Sequence, residues 1–244
     1  QDYNVFVGNN LGERVFLLQV PMKEFFKISE VANEQYREGI EVTQRKLDQV
    51  HAHKLALYIL KGLISSAINF KKAKKVPIVP ALFDIQEELG RQPYLSLQPI
   101  VVNIRDIGHR GGKLRAVRVL SQEDSSTACF KVYLAQNNLL WVIDGQHRRE
   151  AMRLVFEFIE SVLRHHTYPK KKSLYTPLDG HLDLTSEEIQ AWQTVLESTK
   201  TFCTVSVEVH LGLNADEERQ LFHDLNNLGK KVDRNLALKF DSSN

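Results

Sequence analysis

The sequence is poor in cysteine and has no long apolar run. Its two cysteines, Cys129 and Cys203, both fall in strand-like stretches. Two such cysteines are typical of buried reduced thiols rather than of a disulfide framework or half of a metal site. A membrane-spanning helix needs about 18 or more consecutive apolar residues, and neither such a run nor a signal peptide is present. We therefore expect a cytoplasmic protein without a membrane partner.

Excess charge of either sign is also lacking. Lys and Arg number 32 and Asp and Glu number 30, so the formal net charge is +2. A balance this close neither requires nor excludes a nucleic-acid partner, and the placement of the basic residues matters more than their number. With 43% hydrophobic and 25% charged residues among 244, the composition is that of ordinary globular proteins, and the length suffices for one large or two small domains.

Three patterns that would identify a function directly are missing. The glycine-rich, basic stretch 108–113 lacks the Walker arrangement and does not lead into a helix. No helix-turn-helix stands out, so nothing supports sequence-specific reading of DNA. The carboxylates Asp144, Glu150 and Asp224 are scattered rather than clustered for two-metal chemistry, although folding could gather them.

The most informative stretch is 139–152, LLWVIDGQHRREAM. An apolar run of strand length ends at Asp144-Gly145, and apolar residues then repeat at three- and four-residue spacing from Ala151 to Val162. This pattern predicts a strand, a tight turn and a helix that runs to about Leu163. The first N–H groups of a helix lack intrahelical partners and carry partial positive charge, so such a corner attracts anions.

The polar residues of this corner suit a phosphate or a nucleotide. Gly145 lets a ligand approach the backbone, while His147 and Arg148 can donate to phosphate oxygens. Asp144 could hold a metal ion or a ribose hydroxyl. A simpler interpretation makes Asp144 an N-cap, Gly145 a turn, and Arg148 and Arg149 a solvated first turn. Basic residues are unfavourable beside the positive end of a helix dipole, however, and this favours an anionic partner.

Residues Asp144 to Arg148 spell DGQHR, the signature of the DGQHR-domain family, and residues 222–232, FHDLNNLGKKV, resemble that family's second motif. Within it, the chain resembles the DndB family of DNA phosphorothioation systems and the DpdB family of deazaguanine DNA-modification systems. The resemblance implies a ParB/sulfiredoxin-like α/β fold with a mixed sheet. It also places Gln146 where sulfiredoxin has its nucleophilic cysteine, which excludes thiol chemistry of that kind.

The resemblance further implies an accessory or regulatory protein of a bacterial DNA-modification system that binds and hydrolyses ATP and binds DNA. In this interpretation Asp144, His147 and Arg148 are catalytic, and Asp144 is a candidate Mg²⁺ ligand. Nucleotide or phosphate binding is assigned to Gly145, Gln146, Arg149, Asn226, Asn227, Lys230 and Lys231. The two lysines could instead only complement the negative end of the preceding helix. Expected partners are DNA and other proteins of the same system, and a homo-oligomer is left open.

Basic clusters elsewhere are candidates for DNA contacts, although such clusters can also be merely solvated. They are Lys71, Lys72, Lys74, Lys75, Arg110, Lys113, Arg115, Lys170, Lys171 and Lys172. Two other functions stay open beside the ATPase interpretation. One is a non-catalytic, DNA-binding transcriptional regulator in which the corner grips DNA phosphate. The other is a ParB-like nuclease.

The whole chain, 1–244, is interpreted as a single domain, with 1–98 as an N-terminal extension and 99–244 as the motif-bearing core. In the extension we expect a hairpin around 8–12, a short helix after Pro21, and a helix over 43–60 with Val50 and Leu60 inward. His51 and His53 face different directions on that helix and are expected to be surface or packing residues. In the core we expect a strand at 100–104, a hairpin of strands 129–134 and 139–143, and a strand at 203–211. We also expect a helix capped by Thr185 and a helix capped by Asn214. The second of these helices is expected to direct Leu221, Phe222 and Leu225 inward.

Overall fold

A computed structural model describes residues 2–31, 47–108, 111–135 and 138–228. In chain order its elements are β1 (Asp2–Asn10), β2 (Glu13–Pro21), α1 (Met22–Phe25), β3 (Ser29–Val31), α2 (Gln49–Ala73), α3 (Pro80–Leu89), β4 (Ile100–Ile104), β5 (Arg115–Leu120), β6 (Thr127–Tyr133), β7 (Leu140–Asp144), α4 (Gln146–His165), α5 (Ser186–Phe202), β8 (Thr204–Leu211) and α6 (Ala215–Asn227). The predicted α/β class is confirmed. Likeness to the ParB/sulfiredoxin core stays a prediction.

The strands form one mixed sheet in the order β3-β7-β4-β8-β2-β1-β6-β5. β3 runs parallel to β7 and β4 parallel to β8, while the other neighbours are antiparallel. The predicted N-terminal hairpin is confirmed, and its second strand pairs with β8. The segment interpreted as an N-terminal extension therefore shares its sheet with the strands of the motif-bearing core.

The predicted hairpin of strands 129–134 and 139–143 is wrong. Both strands exist, but β6 pairs with β5 and β1, whereas β7 pairs with β4 and β3. Alternating polarity identifies a strand and its buried face but not its neighbour. The short connection from β6 to β7 can join two distant strands of the sheet because the sheet curves around a shared interior. Side chains from six strands line one small apolar cavity there, among them Val5, Phe16, Ile104, Val132 and Leu140.

Helix α2 is the centre of the helical layer and packs against α4 and α5. Its inner face is apolar, and Ala56, Leu60 and Ile64 are fully buried. Part of the predicted helix, 43–46, lies outside the described residues, and the helix continues far beyond the expected end at Leu60. Val50 is 65% exposed rather than inward, because the first turn of α2 precedes the packed part of the helix.

The helices after the motif form as their caps predict. α4 buries its apolar stripe, and the Thr185–Glu188 and Asn214–Glu217 pairs form the capping boxes of α5 and α6. On α6 the predicted inward stripe is partly wrong, since Leu225 is 44% exposed and the buried residue is Glu218. Among the described residues, no helix combines the length and apolar character needed to cross a bilayer.

Candidate functional site

The corner between β7 and α4 depends on a glycine. Gly145 is the N-cap of α4 and has a φ of 104°, a left-handed conformation that favours glycine. A Cβ at this position would lie 3.0 Å from both Arg148 Nε and Ile100 Cγ1. Arg148 and Ile100 therefore fill the side of Gly145 on which a Cβ would stand, and the approach of a ligand to the rest of its backbone stays a prediction.

Arg148 folds back across the start of its own helix. Its Nη2 donates to Asp144 Oδ2 at 2.5 Å and its Nη1 donates to Gln98 Oε1 at 3.3 Å. The Arg148 side chain is 13% exposed and that of Asp144 is 38% exposed. No side chain caps the first turn of α4, so the simpler interpretation of Asp144 as an N-cap is wrong. Asp144 instead orients the guanidinium.

Arg149 faces away from Arg148 and holds the chain before β3. Its Nη2 donates to the carbonyls of Ser29 at 2.5 Å and Phe26 at 3.2 Å, and its Nε donates to Ser29 Oγ at 3.0 Å. The carboxylate of Glu30 lies 3.7 Å away. These contacts give Arg149 a structural role at the chain before β3, and its assignment to phosphate binding stays a prediction. They also exclude a solvated role, since its side chain is 12% exposed.

His147 connects the corner to the beginning of α2. The backbone N–H of Asp48 donates to His147 Nε2 at 3.0 Å, so Nε2 is the acceptor and the neutral ring carries its proton on Nδ1. The ring of His51 stands edge-on to that of His147, with centroids 5.0 Å apart. Burial lowers the pKa of His147, and the neighbouring His51 lowers it further. His147 is therefore held in its neutral form.

His51 lies in this site although no motif or spacing predicts it. Its interpretation as a surface or packing residue is half correct: the residue is exposed, but it lines the same cleft as the motif. Asp48 fixes its position, because the Asp48 carboxylate accepts from the N–H groups of Val50 at 2.9 Å and His51 at 3.1 Å. These N–H groups hold the pKa of Asp48 below its usual range.

The corner cleft is the space between the N-termini of α2 and α4 and the inner side of α6. It measures about 370 Å³ and is lined by His51, Leu55, Gln98, Ile143, Asp144, Gly145, Gln146, His147, Arg148, Phe222 and Asn226. The structure thus brings the two sequence motifs together. Asn227 lies apart from this lining, in a neighbouring hollow on α6, and Lys230 and Lys231 lie outside the described residues.

A buried ionic contact holds α6 against the sheet. The carboxylate of Glu218 accepts from Asn103 Nδ2 at 2.7 Å and from Arg105 Nε and Nη2 at 2.8 and 2.5 Å. The guanidinium of Arg105 also stacks 4.1 Å from the ring of Trp141 on β7. This contact positions Phe222 and Asn226 beside the motif. Sequence reasoning missed it, because a charge inside an amphipathic helix normally faces solvent.

The cleft suits phosphate better than a metal held by protein alone. No group of three or more metal-ligating side chains occurs in the part of the chain that the structure describes. Asp144 provides a carboxylate, but one of its oxygens is paired with Arg148. Mg²⁺ is commonly held by one or two carboxylates together with substrate phosphates. Asp144 fits that role only beside a bound nucleotide. Glu150, a further candidate carboxylate, is paired with Arg153.

The candidate DNA contacts lie on separate segments. Lys71 and Lys72 belong to the last turn of α2, and Lys74 packs over the ring of Phe70. Arg115 begins β5 and stacks on Tyr133, Lys113 lies in the preceding turn, and Arg110 is outside the described residues. The exposed lysines Lys170, Lys171 and Lys172 lie between α4 and α5.

The segment that carries Lys170 to Lys172 is anchored at two buried tyrosines. Tyr168 donates to Glu188 Oε1 at 2.8 Å and accepts from Trp192 Nε1 at 3.1 Å. Tyr175 donates to Glu88 Oε2 at 2.6 Å. The three lysines are therefore presented from a loop that is fastened to both α5 and α3.

Comparison with known proteins gives a single result. A family model described as DndB, DNA-sulfur modification-associated, matches residues 3–244 and so includes both motifs and the elements that position them. No curated protein and no solved structure matches the chain. The extent of the family match, together with the DGQHR corner and the second motif beside it, establishes that the chain belongs to the DndB family of proteins associated with DNA sulfur modification.

Proposed function

We propose that the protein is a regulatory component of a DNA phosphorothioation system that binds and hydrolyses ATP at the corner cleft and binds DNA through exposed basic residues. Family membership supports the link to DNA sulfur modification. The observation that carries the nucleotide site is the meeting of two helix N-termini with Arg148, His147 and His51 around one cleft.

The charges around the cleft favour a phosphate. The N-terminus of α4, which no side chain caps, contributes partial positive charge and N–H donors. The N-terminus of α2 contributes the ring of His51, because its N–H groups at Val50 and His51 donate to Asp48. An arginine has five N–H donors, and Asp144 and Gln98 engage two of those of Arg148, so donors remain for phosphate oxygens. The pairing with Asp144 also fixes the guanidinium in one orientation before a ligand arrives, which lowers the entropy lost on binding.

His147 acts in this proposal as a donor rather than as a general base. Its Nε2 already accepts a hydrogen bond from Asp48, which leaves Nδ1–H to donate to a phosphate oxygen. During hydrolysis Arg148 and His147 stabilise the charge that develops on the transferred phosphoryl group. Asp144 orients the attacking water. When a nucleotide is bound, Asp144 would also hold Mg²⁺, which neutralises phosphate charge.

Calorimetric titration with ATP and with CTP, in the presence of magnesium, tests the nucleotide site. We expect ATP binding to weaken at least about tenfold in Arg148→Ala, because charged hydrogen bonds of about 1.5–3 kcal/mol are removed. Arg164→Ala is the matched control, since it removes an exposed arginine from the last turn of the same helix. ATP binding that is equal in both variants and the wild type would place the nucleotide elsewhere.

A second candidate is a non-catalytic DNA-binding regulator. It is favoured by the exposure of Lys170 to Lys172 on a loop that the hydrogen bonds of Tyr168 and Tyr175 hold in place. In that case the corner cleft binds DNA phosphate instead of a nucleotide. The two functions differ in one measurement: the regulator binds DNA with a steep salt dependence and gives no heat with ATP or CTP. DNA binding should then weaken in Arg148→Ala.

A further inference from the structure

A second cavity lies further along α2 than the corner cleft, beside residues 58–69. It measures about 540 Å³, is open to solvent on one side, and is lined by α2, by the segment 92–97 that leads from α3 to β4, and by the junction of α5 and β8. We call it the Tyr94 cavity. It shares no lining residue with the corner cleft, so a ligand bound here is separate from the proposed nucleotide.

The described lining of the Tyr94 cavity carries no Asp, Glu, Lys, Arg or His. Its polar groups are neutral: hydroxyls such as that of Ser66, and the amides of Asn69 and Gln92. A charged ligand would find no side chain of opposite charge in this lining, so phosphates, carboxylates and ammonium groups are poorer ligands here than an uncharged group. An uncharged ligand with several hydrogen-bonding edges is suited to it.

Two exposed aromatic rings border the same cavity. The Tyr94 side chain is 81% exposed and that of Phe202 is 49% exposed, and both contribute to the lining. Large aromatic side chains are usually covered in the absence of a ligand, because each hides a large apolar area on burial. A flat ring that stacks on Tyr94 would cover this surface while its edges reach the amides.

The walls are formed before any ligand binds. The hydroxyl of Tyr58 on α2 donates to the carbonyl of Ser96 at 3.1 Å and accepts from the Ser96 N–H at 2.8 Å. This double contact fastens segment 92–97 to α2. Cys203 is directed at Ser66 Oγ, 3.4 Å from its Sγ, and burial raises the pKa of this thiol, so the wall stays uncharged.

We propose that the Tyr94 cavity binds a single nucleobase, stacked on Tyr94 and hydrogen-bonded by Asn69 and Gln92. A nucleobase is planar and uncharged and has donors and acceptors around its edge, which matches each property of the lining. Association of the family with DNA modification makes such a ligand available from two sources: a free nucleoside, or a base turned out of DNA.

Fluorescence of 2-aminopurine, which is quenched when the base stacks, tests this site in the Arg148→Ala background. One arm uses the free 2-aminopurine riboside, and the other uses duplex DNA with 2-aminopurine opposite an abasic site. Quenching of the riboside by the protein identifies a free nucleoside as the source. In the duplex the base is already quenched by its stacked neighbours, so a protein-dependent change in fluorescence that Tyr94→Ala abolishes, without quenching of the riboside, identifies a base turned out of DNA. Either result supports the proposal, and unchanged fluorescence in both arms overturns it.

Three variants identify the site of quenching. Tyr94→Ala should weaken binding about fivefold or more, since stacking on an aromatic side chain contributes about 1–3 kcal/mol per base. Asn69→Leu should weaken it by a similar factor, since it removes the hydrogen-bonding amide, and a hydrogen bond contributes about 1 kcal/mol. Phe6→Ala is the matched control, because it removes an exposed aromatic ring on β1. Unchanged binding in both cavity variants would also overturn the proposal. ATP calorimetry reports on the corner cleft separately, so failure of one proposal leaves the other measurable.

Discussion

The backbone N–H of Asp48 donates to Nε2 of His147 across 3.0 Å, although the two residues are 99 positions apart. This bond joins the beginning of α2 to the beginning of α4. It requires an unprotonated Nε2, because a protonated imidazole has no acceptor. The geometry of the corner cleft therefore depends on the charge state of one histidine.

The His147 contact predicts a pH dependence of folding stability. Its folded-state pKa lies below the usual value of about 6.5, so the unfolded chain binds this proton more readily. The contribution is fully present above about pH 6.5 and is lost as the pH falls through the folded-state pKa.

His147→Gln, which keeps an acceptor, should lose less stability than the wild type between about pH 7.5 and about pH 5. Denaturant unfolding at both values checks this. Equal pH dependence in the wild type and in His147→Gln would contradict it, and exposed His165→Gln is the control.

Gly145→Ala should be strongly destabilising. The alanine would have to adopt a φ of 104°, and its Cβ would meet Arg148 and Ile100 at 3.0 Å. We expect a loss of at least about 2 kcal/mol in the free energy of unfolding. Gly180→Ala is the matched control, since its φ is 78° and no atom lies within 4 Å of the added Cβ. The control should lose about 1 kcal/mol, and similar losses in both variants would exclude a special role for the close contact.

The two neighbouring arginines should separate binding from folding. Arg149→Ala removes four hydrogen bonds to Phe26 and Ser29, and we expect it to lower the free energy of unfolding by about 1.5–3 kcal/mol. Arg148→Ala should lower ATP affinity with a smaller effect on unfolding, because Asp144 remains partly exposed to water. Measuring unfolding and ATP binding on both variants tests this division. A reversed pattern would assign the phosphate to Arg149.

Glu218→Ala should detach α6 from the sheet. It leaves Arg105 and the buried Asn103 without their shared acceptor, and we expect a loss of roughly 3 kcal/mol in the free energy of unfolding. Arg219→Ala breaks an exposed pair with Asp216 on the same helix and should lose about 1 kcal/mol or less. Chemical denaturation of both variants provides the comparison, and equal losses would show that the Glu218 contact does not hold the helix.

The lysines of the α4–α5 connection should control the salt dependence of DNA binding. Each lysine that neutralises a phosphate adds about 0.9 to the slope of log affinity against log salt. Replacing Lys170, Lys171 and Lys172 together by alanine should therefore lower the slope by up to about 2.7. Lys200→Ala, which removes an exposed lysine of the last turn of α5 that is not a candidate DNA contact, is the single-charge control. Fluorescence anisotropy with duplex DNA over a salt series checks this, and an unchanged slope would remove these lysines from the interface.

The local features of the fold were predictable because they depend on residues that are close together in the sequence. Two capping boxes predicted where helices begin, Thr185 with Glu188 for α5 and Asn214 with Glu217 for α6. The alternation of apolar and polar residues from Cys203 to Leu211 predicted β8. Strand partners were not predictable in the same way. The short link between β6 and β7 suggested a hairpin, but the curved sheet carries the chain between distant strands.

The candidate site was predictable in its motif and not in its surroundings. Asp144 to Arg148 identified the corner, while His51 reaches it only through the packing of α2 on α4. Arg148 and Arg149 are the same residue type at adjacent positions, and their roles differ because they point in different directions from α4. Arg148 lines the corner cleft, whereas Arg149 binds the chain before β3. Such differences arise from tertiary packing, which neither spacing nor composition records.

The pairing of β2 with β8 has a consequence for biosynthesis. Val20 on β2 pairs with Val205 on β8. During synthesis β2 therefore lacks this neighbouring strand until about 185 further residues have been added. Until then the nascent hairpin presents an open edge with Phe16 and Leu18, the kind of edge that other chains can join. Completion of β8 closes that edge and, by fixing β4 beside it, prepares the place where the DGQHR strand docks.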